Sequence, residues 1–336
     1  TVDAYDTSLT RSTPTALSVE RRNLAGASVG NYALFAGGYA HSHSNTVDAY
    51  DTSLTRSTPT ALSVARTLLA GTSVGNYALF AGGYDGSKYR DTVNAYNASL
   101  TRSTPTALSV ARNGLAGASV GDYALFAGGY GSSPAFKDTV DAYDTSLTRL
   151  TPSVLSVARH RLAGASVGDY ALFAGGYDSF YCYDTVDAYD TSLTRSTPTA
   201  LSVARYDLAG ASVGDYALFA GGEYGYDYDT VDAYDTSLTR STPTALSVAR
   251  TLLAGASVGN YALFAGGEYG FYSNTVDAYY FGPVARLYMP IGTKYKFGES
   301  EEVATTNEII VPVPLTGYIK YESGVVGTEG SALDDS

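Results

Sequence analysis

The stretch Leu24–Gly38 reads LAGASVGNYALFAGG, and it decides the fold. Its second half alternates, with Tyr32, Leu34 and Ala36 on one face and Ala33 and Phe35 on the other, the period of a β-strand. Its first half is too rich in glycine, alanine and serine to make a helix of useful stability. Gly30-Asn31 is a turn signal between the halves. The stretch is therefore a pair of short strands, the first with almost no side-chain bulk.

Outward from this pair, the chain repeats itself. The paired glycines of YALFAGG begin at Gly37, Gly82, Gly128, Gly175, Gly221 and Gly266, at steps of 45, 46, 47, 46 and 45 residues. TVDAY stands at Thr1, Thr46, Thr139, Thr185, Thr230 and Thr275, with TVNAY at Thr92. That period belongs to propeller blades rather than to leucine-rich or ankyrin repeats. Each unit reads as four strands, LAGASV, YALFAGG, TVDAYD and SLTRST, separated by Gly-Asn or Gly-Asp, Asp-Thr-Ser and Ser-Thr-Pro turn signals. A lone four-stranded sheet cannot bury both faces, whereas a ring of them can. Crowding of the innermost strands at the axis then accounts for the small residues of LAGASV.

The expected fold is all-β, a six-bladed β-propeller over residues 1–279. Tyr279 runs into Tyr280-Phe281-Gly282, so the last unit has no SLTR strand of its own. The N-terminal strand Ser8–Ser12 is expected to complete that blade and close the ring, which leaves one TVDAY copy, at Thr1 or Thr275, surplus. Residues 280–336 carry no repeat and read as a C-terminal β-rich extension. Strands are expected in Glu308–Leu315 and Gly317–Tyr321, and the end GTEGSALDDS reads as unstructured. The extension is either a small addition to the propeller or an attachment to a larger assembly.

Composition narrows the function classes. With 336 residues, 45% hydrophobic, the chain buries a large core. One cysteine excludes an internal disulfide framework and a multi-cysteine zinc site. No apolar run approaches the roughly 18 residues of a membrane span, so no membrane insertion is expected. A net charge of −12 argues against a nucleic-acid partner. Thr1 begins in mid-pattern, so no targeting signal can be read.

The order ALSVAR, LAGASVGNYALFAGG, loop, DTVDAYD resembles the kelch repeat. That family has an Arg before the first strand, hydrophobics leading into Gly-Gly and a Tyr beyond, here Gly38 with Tyr50 and Gly83 with Tyr96. Kelch blades usually carry a Trp after that Tyr, and this chain has none. Packing between blades is then expected to rest on aromatics of the Phe35 and Tyr5 type.

Two places differ in nearly every unit. One is the loop after Gly-Gly: YAHSHSN, YDGSKYRD, YGSSPAFKD, YDSFYCYD, EYGYDYD and EYGFYSN. The other is the pair after the Arg: Arg22-Asn23, Thr67-Leu68, Asn113-Gly114, His160-Arg161, Tyr206-Asp207 and Thr251-Leu252. In a four-stranded meander both emerge on one face, while the nearly uniform turns emerge on the other. A variable, Tyr-rich face on a fixed scaffold is the distribution of a binding surface, although tolerant loops also drift. The candidate ligand-binding residues are Tyr39, His41, His43, Tyr84, Lys88, Tyr89, Tyr130, Phe136, Tyr177, Phe180, Tyr181, Tyr183, Tyr206, Tyr224, Tyr226, Tyr228, Tyr269, Phe271 and Tyr272.

Arg21, Arg66, Arg112, Arg159, Arg205 and Arg250 recur before each first strand. Resemblance to kelch domains that capture acidic peptides implies a positive ring at the central entrance, fit for a carboxylate or sulfate. The other reading is structural, with ion pairs to Asp3, Asp48, Asp141, Asp187 and Asp232 that hold the blades together.

Enzyme readings are weaker. Some kelch propellers are copper oxidases with a Tyr–Cys cross-link, a second Tyr and two His. Here Cys182 stands between Tyr181 and Tyr183, units away from His41 and His43. Glu223 and Glu268, with Asp227 and Asp229 nearby, are the paired carboxylates that glycoside hydrolysis would need. No phosphate loop, nucleophile elbow or metal-ligand spacing occurs, and no cofactor, metal or catalytic residue is expected. The reading is a non-enzymatic binding or adhesion module for a cell-surface glycan or protein. Its alternatives are a purely structural assembly component or a glycan hydrolase. Near-identical repeats resemble those of bacterial surface and phage virion proteins, which implies an extracellular place.

Overall fold

The computed structural model describes residues 2–282 and, beyond them, the backbone of the strands Val284–Tyr288, Lys294–Phe297, Ser300–Val303, Glu308–Pro312 and Lys320–Tyr321. Contacts divide the chain into two compact units, Thr1–Tyr279 and Tyr280–Ser336. In the second, Val284–Tyr288 pairs with Glu308–Pro312, and Lys294–Phe297 lies between Ser300–Val303 and Lys320–Tyr321. The expected strands at Glu308 and Lys320 are present, and the GTEGSALDDS end lies outside the described residues.

The first unit is a β-propeller of six blades. Blade 1 is a meander of Ala25–Val29, Tyr32–Ala36, Val47–Tyr50 and Arg56–Ser57 in that order. Blades 2 to 5 repeat it with innermost strands Ala70–Val74, Ala116–Val120, Ala163–Val167 and Ala209–Val213. Blade 6 has three strands, Ala254–Val258, Tyr261–Ala265 and Val276–Tyr280.

The core lies between the blades. On the middle strand of blade 3, Leu125 and Ala127 face blade 4, which returns Ala171, Phe173 and Tyr189 to the same cluster. Blades 1 and 2, 2 and 3, and 4 and 5 meet in the same way, around Phe80, Phe126 and Phe219. Each Phe sits edge-on to the Tyr of its own third strand, as in Phe173–Tyr189 with centroids 6.0 Å apart. The Tyr hydroxyl donates to the segment arriving from the preceding blade, Tyr189 to the Ser153 carbonyl at 2.8 Å. Burying each Phe contributes about 1.5–3 kcal/mol.

Innermost strands pass so close that only glycine fits. A Cβ on Gly117 would stand 2.7 Å from the Gly71 carbonyl, and Gly71, Gly164, Gly210 and Gly255 meet the preceding blade's glycine carbonyl closer still.

The arginines are structural. Arg21, Arg112, Arg159, Arg205 and Arg250 pair with Asp48, Asp141, Asp187, Asp232 and Asp277 at 2.7–2.9 Å, each guanidinium fully buried. Their Nη2 groups also donate to the backbone, Arg112 to the Phe126 carbonyl at 3.0 Å. Arginine and aspartate belong to one blade, so the pairs brace each blade rather than join neighbours. No positive ring faces the entrance, because these guanidinium groups are buried inside the sheet, each with its Nη2 against a carboxylate and a carbonyl. Blade 2 substitutes Asn94, 3.1 Å from Arg66. Asp3 meets no such arginine and lies 3.8 Å from Arg11, half exposed.

Ring closure differs from the sequence expectation. The N-terminal strand Arg11–Ser12 pairs with Ala4–Tyr5 in a separate hairpin, and does not join blade 6. Asp6 Oδ1 accepts the N–H groups of Ser8 and Thr10 at 2.9 Å, the same turn that Asp51, Asp144, Asp190 and Asp235 make between the third and fourth strands of the blades. Both TVDAY copies are in strands: Val276–Tyr280 is the third strand of blade 6, and Ala4–Tyr5 the first of the hairpin.

Candidate functional site

The two variable places meet on one face, joined by main-chain hydrogen bonds in all six blades. The residue after the buried Arg pairs with the residue after Gly-Gly: Arg22 with Tyr39, Thr67 with Tyr84, Asn113 with Tyr130, His160 with Tyr177, Tyr206 with Glu223, and Thr251 with Glu268. The next residue turns into the left-handed region. Asn23, Leu68, Gly114, Arg161, Asp207 and Leu252 have φ between 53° and 59°, a cost of about 1–2 kcal/mol for each non-glycine. Linked donation offsets it. Leu68 N–H donates to Asn23 carbonyl, and Gly114, Arg161, Asp207 and Leu252 each donate to the preceding blade at 2.9–3.0 Å, a spiral around the axis.

These residues surround an axial cavity of about 840 Å³, walled by Asn23, Leu68, Arg161, Asp207 and Leu252 and by the aromatic rings above them. The rings form a continuous arc. His43 lies against Tyr39 and Tyr84, Tyr84 against Tyr89, and Tyr89 against Tyr130, with centroids 5.2–5.9 Å apart. Tyr130 touches Phe136 and His160, which touch each other, and His160 continues to Tyr177 at 4.3 Å and Tyr177 to Tyr206 at 4.4 Å. The arc spans blades 1 to 5. On blades 5 and 6, Glu223 and Glu268 occupy the places that hold Tyr elsewhere.

Charge at the cavity is concentrated in one pair. Arg161 Nη1 lies 2.7 Å from Asp207 Oδ2 and stacks over Tyr177 at 5.8 Å. Burial pushes the Asp207 carboxyl up to about 6, against the pull of Arg161. Burial, with the charge of Arg161, depresses His160 to about 4, so it is neutral at pH 7. Burial first, then the charge of Glu268, raises Asp227. Burial pushes the Cys182 thiol up to about 11, where it is a poor nucleophile at neutral pH.

Of the sequence-expected residues, the structure gathers Tyr39, His43, Tyr84, Tyr89, Tyr130, Phe136, Tyr177 and Tyr206 into the arc. Tyr183 is tied down by a 2.7 Å bond to Asp178, and Tyr228 stacks on Tyr226. Phe180, Tyr181, Tyr224, Tyr226, Tyr269, Phe271 and Tyr272 form exposed tips outside the arc, with Phe271 and Tyr272 both 86% exposed. His41 and Lys88 are exposed and stand apart from it. Among the described residues, no three His, Cys, Asp or Glu side chains stand together as metal ligands do. The axial residues Asn23, His160, Arg161 and Asp207 were legible only as variable pairs. What sets Asn23, Arg161 and Asp207 apart is the left-handed turn, which Asn23, Gly114 and Asp207 favour but Leu68, Arg161 and Leu252 do not announce.

No protein-family model and no curated protein matches this sequence. Among solved structures, the chain is similar to that titled "Structure of YjhT", at 14% identity and a TM-score of 0.64, over 77% of this chain and 94% of that one. The fold is a six-bladed β-propeller. At that identity the likeness carries the fold alone.

Proposed function

We propose that this propeller is a non-enzymatic recognition module that binds a cell-surface glycan at the mouth of its axial cavity. The observation that carries the reading is the aromatic arc, of which Tyr84, Tyr89, Tyr130, Phe136, His160 and Tyr177 line a cavity with a few convergent polar groups. Flat ring faces pack against the C–H faces of sugars, while Asn23, Asn113, Arg161 and Asp207 supply donors and acceptors for hydroxyl groups. The divergence of these positions between otherwise uniform blades supports selection for a shape that is not six-fold. The kelch-like order of each unit belongs to the same reading, as does an extracellular place on a bacterium or virion.

A glycan array probed with the full chain tests this. Tyr84→Ala and Tyr177→Ala are expected to weaken any hit about 2- to 12-fold, the effect of losing about 0.5–1.5 kcal/mol of stacking. Hits indifferent to both substitutions would remove the cavity from the site. A protein partner is the second reading, favoured by the exposed tips Phe180, Tyr181, Phe271 and Tyr272. Loss of binding on Tyr181→Ala and Phe271→Ala, with Tyr84→Ala neutral, would select it.

A further inference from the structure

Six residues hold the left-handed turns that line the axial cavity, and among them Gly114 of blade 3 alone has no side chain. Backbone conformation does not require a glycine there. Leu68 and Leu252 hold the same turn at φ 55°, against 59° at Gly114. Crowding does not require it either. A Cβ on Gly114 would stand 3.6 Å from His160 Cδ2 and 3.9 Å from Arg161 Cγ, ordinary contact distances, whereas one on Gly71 or Gly164 would run into main-chain atoms. Gly114 therefore leaves a notch in the cavity wall, in the place that a Leu side chain takes up on blades 2 and 6.

The atoms that border the notch have no hydrogen bond to offer. The nearest are the Cδ2 edge of His160, the Cγ methylene of Arg161 and the Arg161 main-chain nitrogen. That N–H donates to the Gly114 carbonyl at 2.9 Å, and Gly114 N–H donates to the Leu68 carbonyl at 2.9 Å, so the main-chain polar groups are taken. The Arg161 guanidinium is drawn to Asp207, at 2.7 Å. His160 is 8% exposed, packed against Tyr177 at 4.3 Å and Phe136 at 5.2 Å. Its Nδ1 is sealed from solvent without a partner, and so is closed to a ligand as well. A hydroxyl group placed in the notch would give up water and find no partner among these atoms. A methyl group loses no hydrogen bond there and gains packing contacts.

We propose that Gly114 opens a specificity subsite for a methyl group borne directly on a sugar ring, the C6 methyl of a 6-deoxyhexose. The proposal rests on the reading of the cavity as a glycan site, and names which glycans it takes. A methyl on the ring carries no polar atom in with it, as an acetyl group would. The ring hydroxyl groups are left for Asn113, Arg161 and Asp207, which line the same cavity.

The test titrates the full chain with methyl glycosides that differ only at C6: L-fucoside against L-galactoside, and L-rhamnoside against L-mannoside. In at least one pair the 6-deoxy sugar is expected to bind about 5- to 150-fold more tightly, the effect of burying an unpaired hydroxyl group. In saturation-transfer NMR its C6 methyl signal should take up the most saturation. Gly114→Leu is expected to abolish both the preference and the methyl signal with Tm near that of the parent, because Leu68 and Leu252 already hold this turn. Gly114→Ala, whose Cβ comes no closer than 3.6 Å to a neighbour, reduces the preference partway and carries the test should the Leu variant not fold. Equal binding within both pairs, or a preference that survives these substitutions, overturns the subsite. If Tyr84→Ala still weakens the same sugars, the glycan reading of the cavity stands without it. A glycan array whose hits all lack a 6-deoxy sugar also overturns the subsite, and an array without hits removes the glycan reading and the subsite together.

Discussion

The guanidinium of Arg66 reaches the side-chain carbonyl of Asn94 at 3.1 Å, in the place where the other five blades set an aspartate against the arginine. Burial depresses Arg66 to about 10, with no carboxylate there to offset it. Asn94→Asp is expected to stabilise the propeller by roughly 1–3 kcal/mol, the worth of a charge-assisted bond to a buried group. Thermal unfolding of the two proteins at pH 7 measures it. An unchanged or lower Tm would mean that the buried cation is already compensated.

Asp207 makes stability at the axis depend on pH. Its carboxyl is raised by burial from an ordinary 3.8 to about 6, so the folded state holds the proton more tightly than the unfolded state. The resulting contribution is fully present below pH 4 and is lost as pH rises through about 6. Over that window it amounts to roughly 3 kcal/mol by the size of the shift. Asp207→Asn removes the dependence. Chemical denaturation of both proteins at pH 4.5, 5.5 and 7 should show the variant gaining on the parent as pH rises, and parallel curves would refute it.

The innermost glycines separate a covered strand from a bare one. Gly71→Ala drives a methyl group into the Gly26 carbonyl and is expected to cost at least about 1–3 kcal/mol. Gly26→Ala meets only its own hairpin at 3.9 Å, and is expected to change stability by no more than about 0.5 kcal/mol. Equal costs in denaturant titrations would contradict the open position beside blade 1.

Buried tyrosines set an alkaline limit. Burial raises Tyr96 to about 12, and Tyr143, Tyr189 and Tyr234 also rise, first through burial and then through the aspartate beside each. A raised phenol contributes stability that is present below pH 10 and lost above it. Absorbance at 295 nm should therefore show the buried set ionising only as near-UV circular dichroism collapses. A single transition with tertiary signal intact would place these rings in solvent.

Much of this was readable along the chain. The YALFA alternation assigned Leu34-type residues to one blade face and Phe35-type residues to the other, as the interblade clusters have them. The coincidence of both variable places on one face followed from meander topology. The destination of the N-terminal strand was misread, because counting strands says how many edges exist and not which edges lie near each other. His160, Arg161 and Asp207 escaped notice as an axial group because their place depends on a left-handed turn shared by Leu68 and Leu252, residues that rarely adopt one.

By itself, the sequence determined the repeat, the strands, the bulk allowed in each strand and the face on which blades differ. These follow from side-chain period and volume, properties of neighbours along one chain. The tertiary structure decided where the arginines point, which aromatics touch, how the axial carboxylate titrates and where the N-terminal hairpin stands. Each of those depends on what stands opposite in space, and in identical repeats the opposite group is set by packing alone.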